Sequence, residues 1–226
     1  MNYPNIEKGI FVRRPNRFTA VVEIGGEEQI CHVKNTGRLR ELLIPGAVCY
    51  LTKSANSARK TAYDLVTVER EGELINIDSM APNAVAGQHL AALYPDADIL
   101  PEKRFGESRF DFMVKRQESI LWVEVKGVTL LCEDGIARFP DAPTERGVKH
   151  IEHLIAAKEA GHDAMLLFVV ARSGAAAVAP NRGTHPAFAD ALKRAEKAGV
   201  FLCAVDCFVQ KEGILLQNPL PVRVDL

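Results

Sequence analysis

Arg109-Phe110-Asp111-Phe112-Met113-Val114, then Lys115-Arg116-Gln117-Glu118-Ser119, then Ile120-Leu121-Trp122-Val123-Glu124-Val125-Lys126, reads as two strands joined by a short polar connection. Side chains alternate between the faces of a strand. Phe110, Phe112 and Val114 therefore share one face of the first strand, with Arg109, Asp111 and Met113 on the other. In the second strand Leu121, Val123 and Val125 lie opposite Trp122, Glu124 and Lys126. A connection that turns symmetrically between Gln117 and Glu118 places Asp111 directly across from Glu124 and Arg109 across from Lys126, with paired Cβ atoms roughly 5 Å apart.

Two carboxylates that close repel unless something positive lies between them. A shared proton is one solution, with one pKa raised. A divalent cation such as Mg²⁺ or Mn²⁺ is the other, because hard cations are held by one or two carboxylates together with water and phosphate oxygens. Lys126, two residues beyond Glu124, points to the same place and could position a water or neutralise developing phosphate charge. Asp111, Glu124 and Lys126 are thus the candidate catalytic set, with Asp111 and Glu124 as the candidate metal ligands. The alternative is an exposed sheet face carrying an ordinary cross-strand Glu–Lys pair.

Downstream the pattern is helix and apolar strand by turns. Thr144 is a good N-cap and Gly161 a good C′ residue for a helix from about Glu145 to Ala160, with Val148, Ile151, Leu154 and Ile155 at helical spacing. Its polar face carries Arg146, Lys149, His150 and His153, which suit either phosphate contacts or plain solvation. Met165–Ala171 reads as a central buried strand, Pro186–Ala198 as a helix, and Val200–Val205 as a last buried strand. Asp134-Gly135 reads as the turn of a hairpin between Val128–Cys132 and Ile136–Phe139. Asn83 is placed to cap a helix through Leu93. Residues 81–226 are expected to form an α/β domain with a mixed sheet.

Upstream the rhythm differs. Gly9–Arg14, Phe18–Ile24, Glu28–Val33, Val48–Ser54, Asp64–Arg70 and Leu74–Asp78 read as short strands, with Gly25-Gly26 and Arg70-Glu71-Gly72-Glu73 as hairpin turns. Gly37–Gly46 has room for one or two helical turns before Pro45-Gly46 stops it. Five or six strands with one short helix predict a small closed barrel of the OB type over residues 1–80.

Composition bounds the function. The chain has 226 residues, 47% hydrophobic and 25% charged, with a net charge of −1, which is ordinary for a globular protein. Residues 1–70 hold 11 Lys and Arg against 7 Asp and Glu, leaving 17 against 22 for the rest. That asymmetry permits a basic N-terminal surface and a metal-holding acidic half. No window approaches the roughly 18 uninterrupted apolar residues of a membrane helix, and Met1–Lys8 shows no secretory pattern. A cytoplasmic address without a membrane partner is the expectation. The five cysteines include no CxxC pair and sit largely in apolar runs, as reduced thiols do.

In its motifs the chain resembles the sugar fermentation stimulation protein A family over nearly its whole length. The matching stretches are Arg17-Phe18, His32-Val33-Lys34-Asn35-Thr36-Gly37, Pro45-Gly46, Asn83, Ser108–Phe112 and Val123–Lys126, with Phe139–His150 the most specific. Lys34 departs from the family pattern, where proline is usual. The resemblance implies an N-terminal OB-type DNA-binding domain and a C-terminal domain of the PD-(D/E)xK nuclease type. It also implies sequence-independent DNA binding and a regulatory role in maltose metabolism, and puts Asp111, Glu124 and Lys126 at the nuclease-motif positions. The candidate DNA contacts are Arg13, Arg14, Arg17, Phe18, Lys34, Asn35 and Arg38 in the barrel, and Arg146, Lys149 and His150 on the helix. Asn35-Thr36-Gly37 could instead cap the short helix. A metal-dependent deoxyribonuclease and a non-catalytic DNA-binding regulator that keeps the nuclease fold both remain open, as does a module for single-stranded DNA or RNA. Oligomeric state, a homodimer included, is not written in these residues.

Overall fold

The computed structural model describes residues 1–56 and 58–226. β1 (Ile6–Asn16), β2 (Thr19–Ile24), β3 (Glu27–Val33), β4 (Val48–Lys53), β5 (Tyr63–Arg70) and β6 (Glu73–Asn76) follow the expected strands within a few residues. The β2–β3 turn holds Gly25 and Gly26 at φ 61° and 86°, and the β5–β6 turn holds Glu71 and Gly72 at 52° and 80°. Two successive residues at positive φ match the twist of a tight hairpin. The sheet runs β3-β2-β1-β4-β5-β6, and an added parallel pairing of β3 with β5 closes it into a five-stranded, OB-like barrel. Its core is Phe11, Ala20, Val22, Cys31, Val33, Leu51, Leu65 and Val68 with their neighbours. At Gly9 a Cβ would come within 2.4 Å of Val22 Cγ1 and 2.9 Å of the Glu23 carbonyl, so only glycine lets β1 cross there.

The short helix expected at Gly37–Gly46 does not form. Leu39 enters the segment at φ 48°, which no helix continues, and one turn follows in which Leu43 donates to the Leu39 carbonyl at 2.8 Å. Pro45 and Gly46, at φ 90°, end it. The segment's contribution is Leu39, Leu42 and Leu43, all buried in the barrel core.

α1 (Ala81–Leu93) opens the second rhythm, followed by β7 (Asp98–Phe105), β8 (Ser108–Lys115), β9 (Ile120–Val128), β10 (Ile136–Phe139), α2 (Glu145–Glu159), β11 (Asp163–Val170), β12 (Ala177–Pro180), α3 (Pro186–Lys197), β13 (Phe201–Gln210) and β14 (Gly213–Leu220). The sheet order is β14-β13-β11-β9-β8-β7, with β11 parallel to both β9 and β13 and β8 antiparallel to β9 and β7. β10 pairs in parallel with β12 in a separate two-stranded sheet, so its hairpin with 128–132 is reduced to one bridge, Leu131 to Ala137. Phe168, Leu166, Trp122 and Phe110 pack under Ile151, Leu154 and Ala157 of α2 and under Phe188, Ala191 and Leu192 of α3. α2 is capped as expected: Thr144 Oγ1 accepts from the Gly147 N–H at 3.0 Å, and Gly161 stands past its end at φ 85°.

By backbone proximity the chain divides into two compact units. One comprises Met1–Ala81, Ala171–Ser173 and Cys207–Leu215, and the other Pro82–Val170, Gly174–Asp206 and Leu216–Leu226. No helix among the described residues is long and apolar enough to cross a membrane. Burial pushes the thiols of Cys31 and Cys49 up to about 12.

Candidate functional site

The register of β8 on β9 runs from Phe112 opposite Val123 to Lys115 opposite Ile120, the one that brings Asp111 beside Glu124. Past Phe112 the ladder gives way to the Asp111 side chain, whose Oδ2 accepts from the Val125 N–H at 2.7 Å. Its Oδ1 accepts from Asn83 Nδ2 at 2.7 Å. Asn83 is therefore not the cap of α1, because the helix already begins at Ala81. Asp78 holds the turn that leads into it, with Met80 N–H on Asp78 Oδ1 at 2.9 Å. Asn83 lies in the first turn of α1, and a Cβ at Gly127 would meet Pro82 Cγ at 2.7 Å, so the missing side chain lets that turn close on β9.

The face of β9 that carries Glu124 and Lys126 was expected to be polar. It is covered by α2 instead, and Trp122 on that face packs in the core, 5.7 Å from the Phe110 ring. Glu124 is 2% exposed. Its Oε1 accepts from Lys126 Nζ at 2.6 Å and from His150 Nδ1. Its Oε2 is buried and has no hydrogen-bond partner. Arg146 Nε donates to His150 Nε2 at 3.2 Å. His150 thus stands between the Glu124 carboxylate and the Arg146 guanidinium, with Lys126 Nζ 3.4 Å from its Nδ1. Burial and the nearby Glu124 raise the Asp111 pKa above its ordinary value. Burial pushes Glu124 the same way, but the hydrogen bond from His150 and the charge and hydrogen bond of Lys126 outweigh it, so its pKa is lowered.

An oxygen-loving divalent cation fits this donor set. An orphaned buried carboxylate oxygen and a second carboxylate kept costly to ionise both gain from a positive charge between them. Among the described residues no group of three or more His, Cys, Asp or Glu side chains gathers as a metal-ligating cluster. The candidate is a two-carboxylate site whose remaining ligands would be water and phosphate oxygens.

His150, grouped from sequence with the solvent-facing cations, turns inward onto Glu124 and is 12% exposed at its side chain. Arg146 backs it, and Lys149 stays exposed, 3.5 Å from Glu107. Nothing in the sequence pattern separated His150 from its neighbours except its place beside the buried Ile151.

In the barrel the seven candidate DNA contacts divide. Arg14 points inward: its guanidinium donates to the carbonyls of Gly37 (2.9 Å), Arg38 (2.8 Å), Arg17 (2.8 Å) and Asn35 (2.7 Å). Asn35 is also structural, donating to the Ile77 carbonyl at 2.9 Å and accepting from the Gly37 N–H at 2.8 Å. Arg13 pairs with Glu28 at 3.1 Å on the surface. Lys34 is held by Asp64 at 3.1 Å and Asp78 at 3.6 Å. Arg17, Phe18 and Arg38 remain exposed.

Asp64 gathers Lys34, Arg59 and His32 where β3 meets β5. Burial would raise its pKa, but Arg59 and Lys34 outweigh that and hold it at about 2, below the ordinary 3.8. A depressed carboxylate stabilises the fold above its unfolded pKa and loses that contribution as pH falls through its folded one. Asp64→Asn should therefore cost about 2 kcal/mol at neutral pH, with the difference closing between roughly pH 4 and pH 2. Urea denaturation of both proteins across that range checks it, and a constant gap would remove the charge argument.

The fold and the paired sites define a two-part protein, an OB-like barrel joined to a mixed-sheet α/β domain. Residues 12–77 match the SfsA N-terminal OB domain and residues 78–213 the sugar fermentation stimulation protein RE domain. The sugar fermentation stimulation protein homolog of Ruminiclostridium cellulolyticum is 46% identical over 99% of this chain and 100% of its own. That of Desulfitobacterium hafniense is 49% identical over 95% and 94%. The solved structure of Pyrococcus furiosus SfsA in complex with Ca²⁺ is 32% identical, covers 99% of this chain and 98% of that one, and superposes with a TM-score of 0.87. The chain belongs to the sugar fermentation stimulation protein A family.

Proposed function

We propose that this protein is a cytoplasmic, sequence-independent DNA-binding protein whose second unit is a PD-(D/E)xK-type site for metal-assisted phosphodiester hydrolysis. Asp111 and Glu124 hold one Mg²⁺ or Mn²⁺ and Lys126 borders it. The observation that carries the reading is Glu124 Oε2, buried and without a partner beside a second carboxylate whose ionisation burial disfavours. A relative whose solved structure is a Ca²⁺ complex supports an oxygen-ligand cation site. When bound, a divalent cation there would supply the charge that polarises a phosphate oxygen and eases ionisation of a water. The chain's own residues do the rest. Asn83 and the Val125 N–H fix both oxygens of Asp111, and His150 takes one oxygen of Glu124 so that the other is presented. Lys126 supplies a positive charge for the scissile phosphate. Among the described residues of the first unit no element is a recognition helix, so affinity rests on phosphate charge. A part in regulating sugar or maltose metabolism would follow from that binding.

A second reading, a DNA-binding regulator without turnover, draws on the Lys126–Glu124 contact of 2.6 Å, which already gives one carboxylate a cation. Calorimetric titration of Mn²⁺ into wild type and Asp111→Asn, with cleavage assays on single- and double-stranded DNA, separates them. Metal affinity should fall at least about tenfold in the variant, a loss of about 1.4 kcal/mol. Equal affinities would remove the carboxylates from the site. Asp111-dependent binding with every DNA form left intact would establish the regulator.

A further inference from the structure

Arg14 ties together two segments of the barrel that are distant in sequence. One end of its guanidinium holds the carbonyl of Arg17 in the β1–β2 turn, and both ends hold the loop 35–38 through Asn35, Gly37 and Arg38. Residues 17 and 38 are thereby fixed on one rim. Phe18 in the same turn has no backbone freedom. Its N–H is held by Asn16 Oδ1 at 2.9 Å and its carbonyl by the Val33 N–H at 2.8 Å. Yet its ring is 52% exposed, with the Arg17 guanidinium 5.7 Å from the ring centroid. Arg38, whose carbonyl the Arg14 guanidinium holds along with that of Arg17, is exposed, and among the described residues neither it nor Arg17 forms an ion pair. An apolar ring held out into water on an anchored backbone, flanked by unpaired cations, gains most from a flat partner attached to phosphates.

We propose that Phe18, backed by Arg17, is a stacking platform for an unpaired base of single-stranded DNA, with Arg38 meeting the adjacent phosphate. A base offers its face to a side chain only when it is not stacked within a duplex. Base–aromatic stacking is tolerant of sequence and backed by cation–π attraction, consistent with the charges on the rim. Arg14 acts only through the backbone it holds. The inference rests on the DNA-binding reading and narrows it to a single-strand contact on the barrel.

The test uses Phe18→Trp, Phe18→Leu and wild type with a dT oligonucleotide, the same oligonucleotide carrying abasic positions, and a duplex. The emission of Phe18→Trp, measured as the difference from wild type with its buried Trp122, should be quenched by the dT strand and unchanged by the duplex. Phe18→Leu keeps an apolar side chain but no ring, and should weaken dT binding on the order of tenfold while leaving duplex binding unchanged. Abasic DNA should bind wild type and Phe18→Leu alike. Equal losses of Phe18→Leu on duplex and dT, or abasic DNA that still distinguishes the two proteins, would overturn the platform while leaving DNA binding in place. Wild type that binds none of the three would overturn the DNA-binding reading itself.

Discussion

On the proposed hydrolytic reading, replacing Lys126 with methionine should lower Mg²⁺- or Mn²⁺-supported strand cleavage about 100-fold or more, while Mn²⁺ affinity stays at least as high as in the wild type. The two outcomes separate because Lys126 has two relations to the site. Its ammonium lies 2.6 Å from Glu124 Oε1 and is 13% exposed, so it competes with any cation for the carboxylate's charge. Removing that competitor cannot weaken metal binding through electrostatics. Methionine preserves the unbranched stem, so packing beside His150 is little disturbed. On that reading the rate falls because the scissile phosphate loses the charge that would compensate it in the transition state. Single-turnover cleavage and calorimetry on the same preparation check both halves. A variant that cleaves at the wild-type rate would relegate Lys126 to an ion pair with Glu124, and parallel losses of affinity and rate would make it a support of the metal site.

How much of this could be read from the residues follows from where each signal lives. Strands β1 to β5 were legible because alternation and paired turn residues such as Gly25-Gly26 act locally. So was the β8–β9 register, since a short connection leaves few alternatives. β7, β12 and β14 were not. β7 contains Pro101 and the charged run Glu102–Arg104, tolerable because it is an outer strand where a missing N–H and exposed side chains cost little. β12 is four residues, Ala177–Pro180, whose strand character comes from pairing with β10 rather than from its own pattern. Gly37–Gly46 failed as a helix because burial of Leu39, Leu42 and Leu43 in the barrel outweighs helical propensity over so short a span. The juxtaposition of the candidate site's carboxylates was legible, and their partners were not. Asp111, Glu124 and Lys126 announce themselves by spacing, whereas Asn83 and His150 reach them from helices by tertiary packing that no local pattern encodes. Arg14 shows the converse. A basic residue in a basic stretch reads as a phosphate contact, and only the four carbonyls around it show that it braces the backbone.

Without metal, the two carboxylates should have opposite effects on stability. Asp111→Asn should stabilise the apo protein by about 1 kcal/mol and Glu124→Gln should destabilise it by about 3 kcal/mol. The surroundings of Asp111 disfavour its charge, for burial and Glu124 both raise its pKa. Asparagine removes that repulsion and keeps the contacts: its Oδ1 can accept from the Val125 N–H, and its amide can donate to Asn83 once the Asn83 amide turns over. Glu124 is the reverse case. It is the counter-charge for Lys126, and it also receives the His150 N–H. Glutamine leaves the ammonium, 13% exposed, without a charge partner, and puts an amide with no acceptor where Oε2 is already orphaned. Removing one partner of a buried pair carries most of the desolvation cost of the other. Chemical denaturation in EDTA measures both differences. Adding Mn²⁺ should then stabilise wild type more than either variant, since a ligand that binds only the native state raises its stability with concentration. If Asp111→Asn were destabilising without metal and Glu124→Gln neutral, the charges would be distributed otherwise than described. Equal stabilisation of all three proteins by Mn²⁺ would place the cation elsewhere in the molecule.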